Sequence, residues 1–122
     1  MTLRLFLLII TSVSLSVIAQ LFLKLGTINV RSDQSKGTID EFLALTTSPL
    51  VIFGLGLYAF GALVWIFVLG RLPLSIAYPF VGLGFILTML IGAYFLNESL
   101  TATKIFGTLL IVAGCAFVAR AA

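Results

Sequence analysis

The chain has 122 residues, of which 61% are hydrophobic and 9% charged, with a formal net charge of +3. That balance excludes a soluble globular domain and describes an integral membrane protein. Without histidine and with Cys115 as its single cysteine, the chain can form no intrachain disulfide and has too few soft ligands for a transition-metal site. No metal, cofactor or nucleic-acid partner is expected.

Four apolar runs are long enough to cross a bilayer, for which about 18 residues suffice. They cover 3–25, 49–69, 73–96 and 102–119, giving an all-α membrane protein of four transmembrane helices in one domain. The first run lacks a short apolar core followed by a small-residue cleavage site, so it reads as a retained span. It carries an unusual stripe: Ser12, Ser16, Gln20 and Lys24 follow one another at four-residue spacing, which places them on one helix face. Ser16 falls near the bilayer midplane and Lys24 at the headgroup boundary. Serines alone are ordinary helix-packing residues, and a terminal lysine can snorkel. Gln20 favours a polar cavity, because a primary amide in hydrocarbon is costly without several hydrogen-bond partners.

The segment 27–48 is the one sizeable polar stretch. Thr38 and Glu41 have capping-box spacing ahead of Ile39, Phe42 and Leu43, which predicts a short interfacial helix over 39–46. Ser48 followed by Pro49 is a helix-start signal. In the second span Gly54, Tyr58, Gly61 and Trp65 recur on one face; this is either a packing face or a cavity wall with flat aromatic surfaces. "GRLP" at 70–73 is a tight turn into the third span, where Pro79 removes a backbone bond and Gly82 and Gly84 loosen the helix. A static kink and a hinge lining a pathway both fit. "NESLT" at 97–101 turns into the fourth span with Thr101 as its cap. There Gly107 and Gly114, two turns apart, offer a small-residue groove for dimer packing.

Asp33, Asp40, Glu41 and Glu98 all fall in loops or turns, and no phosphate-binding Gly-Lys motif is present. The chain is therefore expected not to be an enzyme. Even crossing puts Arg4, Arg71 and Arg120 on one side and Lys24, Arg31, Lys36 and Lys104 on the other. This gives no usable positive-inside bias. Orientation is then set by a partner or the insertion machinery, or the chain inserts both ways up.

"IAYPF" at 76–80, "NES" with Glu98 and "KIFGTLLIVAGCAFV" at 104–118 together resemble the second half of the repeat in the drug/metabolite transporter superfamily, in its minimal, small multidrug resistance-like form. Two branches of that superfamily differ in what they imply. Small multidrug resistance proteins carry a mid-membrane glutamate in the first helix, where this chain has Ser16; a hydroxyl neither titrates near neutral pH nor neutralises a cation. The flippase subunits for undecaprenyl-phosphate-linked aminoarabinose are similar at Ser16, Val17, Gln20, Leu21 and Lys24, and again at Trp65, "IAYP" and Glu98. The long polar first loop of this chain, 27–48, departs from theirs in detail.

The second resemblance implies a flippase of the bacterial cytoplasmic (inner) membrane that moves a polyprenyl-phosphate sugar lipid for envelope glycan or lipid modification. Together with the polar stripe of the first span, the aromatic face of the second and the arginine of the 70–73 turn, it gives an expected substrate site of Ser12, Ser16, Gln20, Lys24, Tyr58, Trp65, Tyr78, Arg71 and Glu98. Lys24 would hold the phosphate, Ser16, Gln20 and Tyr78 the sugar hydroxyls, with apolar rings at Tyr58 and Trp65. Four helices leave little interior, so a homodimer or a heterodimer with a related four-helix subunit is expected. A small multidrug or metabolite exporter is the alternative, and a non-transporting assembly subunit is a third reading.

Overall fold

The structure, a computed structural model, describes residues 3–31 and 37–121. It is all-α: α1 (Leu3–Arg31), α2 (Thr38–Thr47), α3 (Pro49–Leu69), α4 (Leu74–Ala77), a 3-10 turn (Tyr78–Val81), α5 (Gly82–Phe95) and α6 (Ala102–Arg120). Four membrane-spanning lengths result: Leu3–Val30, Pro49–Leu69, Leu74–Phe95 and Ala102–Arg120. The third is composite, with α4, the 3-10 turn and α5 end to end.

The first helix runs six residues past the expected Leu25 because nothing stops it. Gly26 alone does not break a helix, and the Thr27 hydroxyl donates to the Lys24 carbonyl at 2.7 Å, satisfying the backbone as the helix leaves the bilayer. Residues 32–36 of the loop, including Asp33 and Lys36, lie outside the described residues. A short helix forms over Thr38–Thr47, but it does not start at the expected cap. Gly37 is the N-cap and makes no side-chain bond, so Thr38 sits one position inside the helix. Ile39, Phe42 and Leu43 are all exposed, as the apolar face of a helix lying at a membrane surface would be. Ser48 occupies the N-cap of α3 ahead of Pro49 without using its side chain. Thr101 caps α6 as expected, accepting from the Lys104 amide at 3.2 Å.

The core is built on α1. Leu5, Ile9, Val13 and Val17 form a buried four-residue stripe, closed by Val68 from α3 and Ala77 from α4. The polar stripe starting at Ser12 is offset from it by one residue, about 100° round the helix. One face of α1 therefore packs while the adjacent face stays polar. Glycines let α1 and α3 approach closely: a Cβ at Gly54 would lie 3.0 Å from the Ala19 carbonyl oxygen, one at Gly61 3.3 Å from Leu15 Cβ, and one at Gly26 of α1 would clash with Val51 of α3. Gly54 and Gly61 thus form a packing face, while Tyr58 and Trp65 on the same helix are left to line a cavity.

Pro79 falls in the 3-10 turn, where the α-helical bonding of the third span is replaced by tighter turns. The span ends at Phe95, and Asn97 takes a left-handed conformation with φ 53°, a region asparagine tolerates better than most residues. This brings the Glu98 amide back to the Gly92 carbonyl at 3.0 Å. The α6 helix is peripheral and buries no residue. Its close approach to the third span is at Gly82, where a Cβ would lie 2.8 Å from Cys115 Sγ. Gly107 and Gly114 face open space within this chain.

Gly54→Val is expected to force α1 off α3 and to cost about 1–3 kcal/mol. Gly56→Val, two residues along the same helix where a Cβ meets nothing within 4 Å, is expected to be tolerated. Thermal melting of the two variants in detergent checks the difference.

Candidate functional site

A cavity of about 330 Å³ lies between α1, α3 and the third span. Its wall brings together Ser12, Ser16 and Gln20 from α1, Tyr58 and Trp65 from α3, and Tyr78 from the 3-10 turn. The spacing of each set explains the convergence. The α1 residues descend one face at four-residue steps, Tyr58 and Trp65 are two turns apart on α3, and the 3-10 turn presents Tyr78 one turn into the third span.

The polar groups differ in how they are used. Ser12 is buried and its hydroxyl donates to the Gly61 carbonyl at 2.9 Å, so this serine also fastens α1 to α3. Ser16 is half-buried beside the same glycine, its Oγ 3.4 Å from where a Gly61 Cβ would stand. Gln20 is exposed within the isolated chain. At membrane depth that amide needs a polar surface to face, since transfer of an amide to hydrocarbon costs about 4–8 kcal/mol without hydrogen bonds.

Gln20 also lines a second cavity of about 560 Å³ with Lys24, Thr27, Glu41 and Leu45. Here α2 packs against the end of α1, so Glu41 and Leu45 form part of the rim. Gln20 is common to both cavities, so the polar lining continues from Ser12 and Ser16 through it to Lys24. The mid-membrane cavity is lined by no charged side chain among the described residues, whereas the boundary cavity has one charge of each sign, Lys24 and Glu41.

Arg71 and Glu98 are not brought to either cavity. Arg71 lies in the turn after α3 with its guanidinium carbon 4.5 Å from the Phe67 ring centroid, a cation–π arrangement. Glu98 folds against the third span: a Cβ at Gly92 would clash with its carboxylate. It lines a separate pocket of about 250 Å³ with Ser99 and Lys104, where Lys104 Nζ donates to the Ser99 carbonyl at 2.9 Å.

Thr88, Phe85 and Val81 also line the mid-membrane cavity and are missed by sequence reasoning. Their three- and four-residue spacing is a helix face, but a lone threonine in an otherwise apolar run is an ordinary occurrence in a span. Glu41 and Leu45 at the rim are missed for a different reason: the fold of α2 onto α1 joins segments about twenty residues apart.

In a Cys115→Ser background, Gln20→Cys is expected to react faster with a water-soluble maleimide than Ile18→Cys, which is exposed on the opposite, lipid-facing side of α1. Equal labelling rates would mean that the stripe opens onto lipid.

Comparison with known proteins matches residues 8–119 to the model of transmembrane family 234. The chain is 36% identical over 129 aligned positions to the "Probable 4-amino-4-deoxy-L-arabinose-phosphoundecaprenol flippase subunit ArnF" of Shewanella sediminis, covering 97% of this chain and 89% of that protein. It is 39% identical over 71 residues to the corresponding subunit ArnE of Pseudomonas fluorescens, 58% of this chain and 60% of that protein. It is 36% identical over 86 residues to subunit ArnE of Pseudomonas aeruginosa, 68% and 72%. The match to the Pseudomonas fluorescens subunit thus spans about 60% of its length. No solved structure matches the chain. The four spans and these bacterial relatives together place the chain in the inner membrane as a multi-pass protein.

Proposed function

The chain belongs to transmembrane family 234, and from that premise we propose that it is a subunit of a flippase that moves a polyprenyl-phosphate-linked sugar across the bacterial inner membrane, for envelope glycan or lipid modification. The observation that carries this reading is the shared position of Gln20, which joins an uncharged polar cavity at mid-membrane to a boundary cavity holding Lys24. The names of the flippase-subunit relatives, which include a 4-amino-4-deoxy-L-arabinose-phosphoundecaprenol, support the substrate class.

Lys24 takes the phosphate as a point charge at the headgroup boundary. Gln20 then accompanies the headgroup inward, exchanging hydrogen bonds with sugar hydroxyls, and Ser16 and Tyr78 continue that series. Tyr58 and Trp65 offer flat rings to the apolar faces of the sugar. An anionic substrate accounts for the uncharged cavity, because a buried carboxylate there would repel it. The same feature argues against export of lipophilic cations, which needs a negative group at depth. At the rim Glu41 faces an amino substituent where the sugar carries one.

The relatives are named as subunits under two designations, ArnE and ArnF, and the chain works with a second four-helix chain, related or identical. The cavity volume of about 330 Å³ is at the lower end of small-ligand sites, which supports completion by another chain. In an antiparallel pair a Lys24 stands at each membrane surface. In a parallel pair Arg71 supplies the charge at the far surface, and Glu98 lies at the near one. Gly107 on α6, where a Cβ meets nothing within 4 Å, serves as a packing position between chains, while Gly114 lines the side of α6 turned toward the third span.

Transbilayer movement of a short-chain polyprenyl-phosphate sugar in liposomes tests the reading. Wild type is expected to accelerate it, Lys24→Arg to retain most of the rate, and Lys24→Ala to lose about tenfold to a hundredfold, given 1.5–3 kcal/mol for a charge-assisted hydrogen bond. A wild type that moves no lipid-linked sugar, alone or with its second chain, would sink the proposal. Glu41→Gln is expected to slow an amino-sugar lipid more than its hydroxyl analogue, and equal slowing would remove Glu41 from headgroup recognition.

A further inference from the structure

An apolar groove of about 560 Å³, distinct from the cavities above, runs between the third span and α6. Pro79 and Gly82 line one side, and Ile111, Gly114, Cys115 and Val118 the other. Three residues, Tyr78, Val81 and Phe85, line both this groove and the polar cavity. One strip of the third span is therefore the common wall between a cavity that carries serine, glutamine, threonine and tyrosine groups among apolar ones and a groove that is almost wholly apolar.

We propose that this groove binds the isoprenoid tail of the lipid whose headgroup occupies the polar cavity; the inference rests on the flippase reading and extends it. A polyprenyl phosphate sugar is two molecules in one, and a headgroup inside the protein requires that its tail leave through an apolar opening continuous with the headgroup site. The groove is apolar and adjoins the headgroup site along the shared wall of Tyr78, Val81 and Phe85, the wall that has to open for the lipid to occupy both. Its wall is also the part of the third span with the weakest internal bonding, because the 3-10 turn Tyr78–Val81 carries Pro79, which donates no backbone hydrogen bond. Tyr78 and Phe85 are exposed, so their rings can move aside without breaking a packed core. Phe85 additionally borders the pocket of Glu98 and Lys104, which puts its ring at the junction of three compartments. The groove floor is open at Gly114, where a Cβ would meet nothing within 4 Å. A side chain added there fills the groove and disturbs no neighbour.

The test is photo-crosslinking with a polyprenyl phosphate carrying a diazirine in its tail, using the chain in nanodiscs of phosphatidylethanolamine and phosphatidylglycerol. Adducts mapped by mass spectrometry are expected at Pro79, Ile111 and Val118. They are expected to be lost in Gly114→Leu, kept in Gly107→Leu, and displaced by unlabelled polyprenyl phosphate but not by added phosphatidylglycerol. Gly107 is on the same helix, and a Cβ there also meets nothing within 4 Å. It lies outside the groove, so loss in both variants would point to α6 packing and overturn the assignment. Labelling scattered over lipid-facing residues such as Phe60 and Leu109, or displacement by phospholipid as effective as by polyprenyl phosphate, would also overturn it. Should Gly114→Leu not fold, Val118→Trp blocks the groove from its other end and is read the same way. Crosslinking needs no transport, so a wild type that labels at the groove yet moves no lipid overturns the flippase reading alone. Normal transport of a long-tailed substrate by folded Gly114→Leu overturns the groove alone.

Discussion

A primary amide at membrane depth must face something that can hydrogen-bond it, and the arrangement around Gln20 follows from that requirement. Hydrocarbon offers no partners, so an amide left facing lipid would oppose insertion of the helix that carries it. The chain meets the constraint by setting its polar stripe beside a buried apolar one on α1. The apolar stripe, from Leu5 to Val17, draws in Val68 of α3 and Ala77 of α4. The neighbouring stripe is thereby held against a cavity.

The α1–α3 contact sets the geometry of that cavity. Without a strong hydrophobic driving force between helices in lipid, association depends on close packing and hydrogen bonding. Gly54 and Gly61 provide the first, and the Ser12 bond to the Gly61 carbonyl at 2.9 Å the second. The close approach turns Tyr58 and Trp65 toward the open side, where α1 presents Ser16 and Gln20. Helix packing and the candidate site therefore draw on the same residues, and Ser12 belongs to both.

The third span has a different role. The 3-10 turn at Pro79 interrupts its helical bonding beside the cavity, and that interruption places Tyr78, Val81 and Phe85 between polar and apolar compartments. A rigid, uniformly α-helical span would present a fixed wall there. On the far side, α6 packs against this span among the described residues and buries none of its own residues, so most of its surface is left for lipid or for a second chain.

Much of this was legible in the sequence because membrane burial makes local patterns decisive. Apolar length defines a span without any knowledge of its neighbours, and the four-residue spacing of Ser12, Ser16, Gln20 and Lys24 places them on one face by helical geometry alone. Thr101 capping α6 and Pro49 opening α3 are likewise local events. What the sequence left open concerns contacts between segments. The Thr38–Glu41 spacing placed the helix start one residue late, since Gly37, which has no side chain to close a capping box, became the cap. Whether Gly54 and Gly61 pack or line a pathway depended on which helix lay opposite. That Thr88 faces the cavity, that Glu41 reaches the rim beside Lys24, and that Arg71 and Glu98 stand apart from it were decided only when the helices assembled. The physical reason is that hydrophobicity and helical periodicity act over a few residues, whereas a cavity is defined by surfaces that meet only in the tertiary fold.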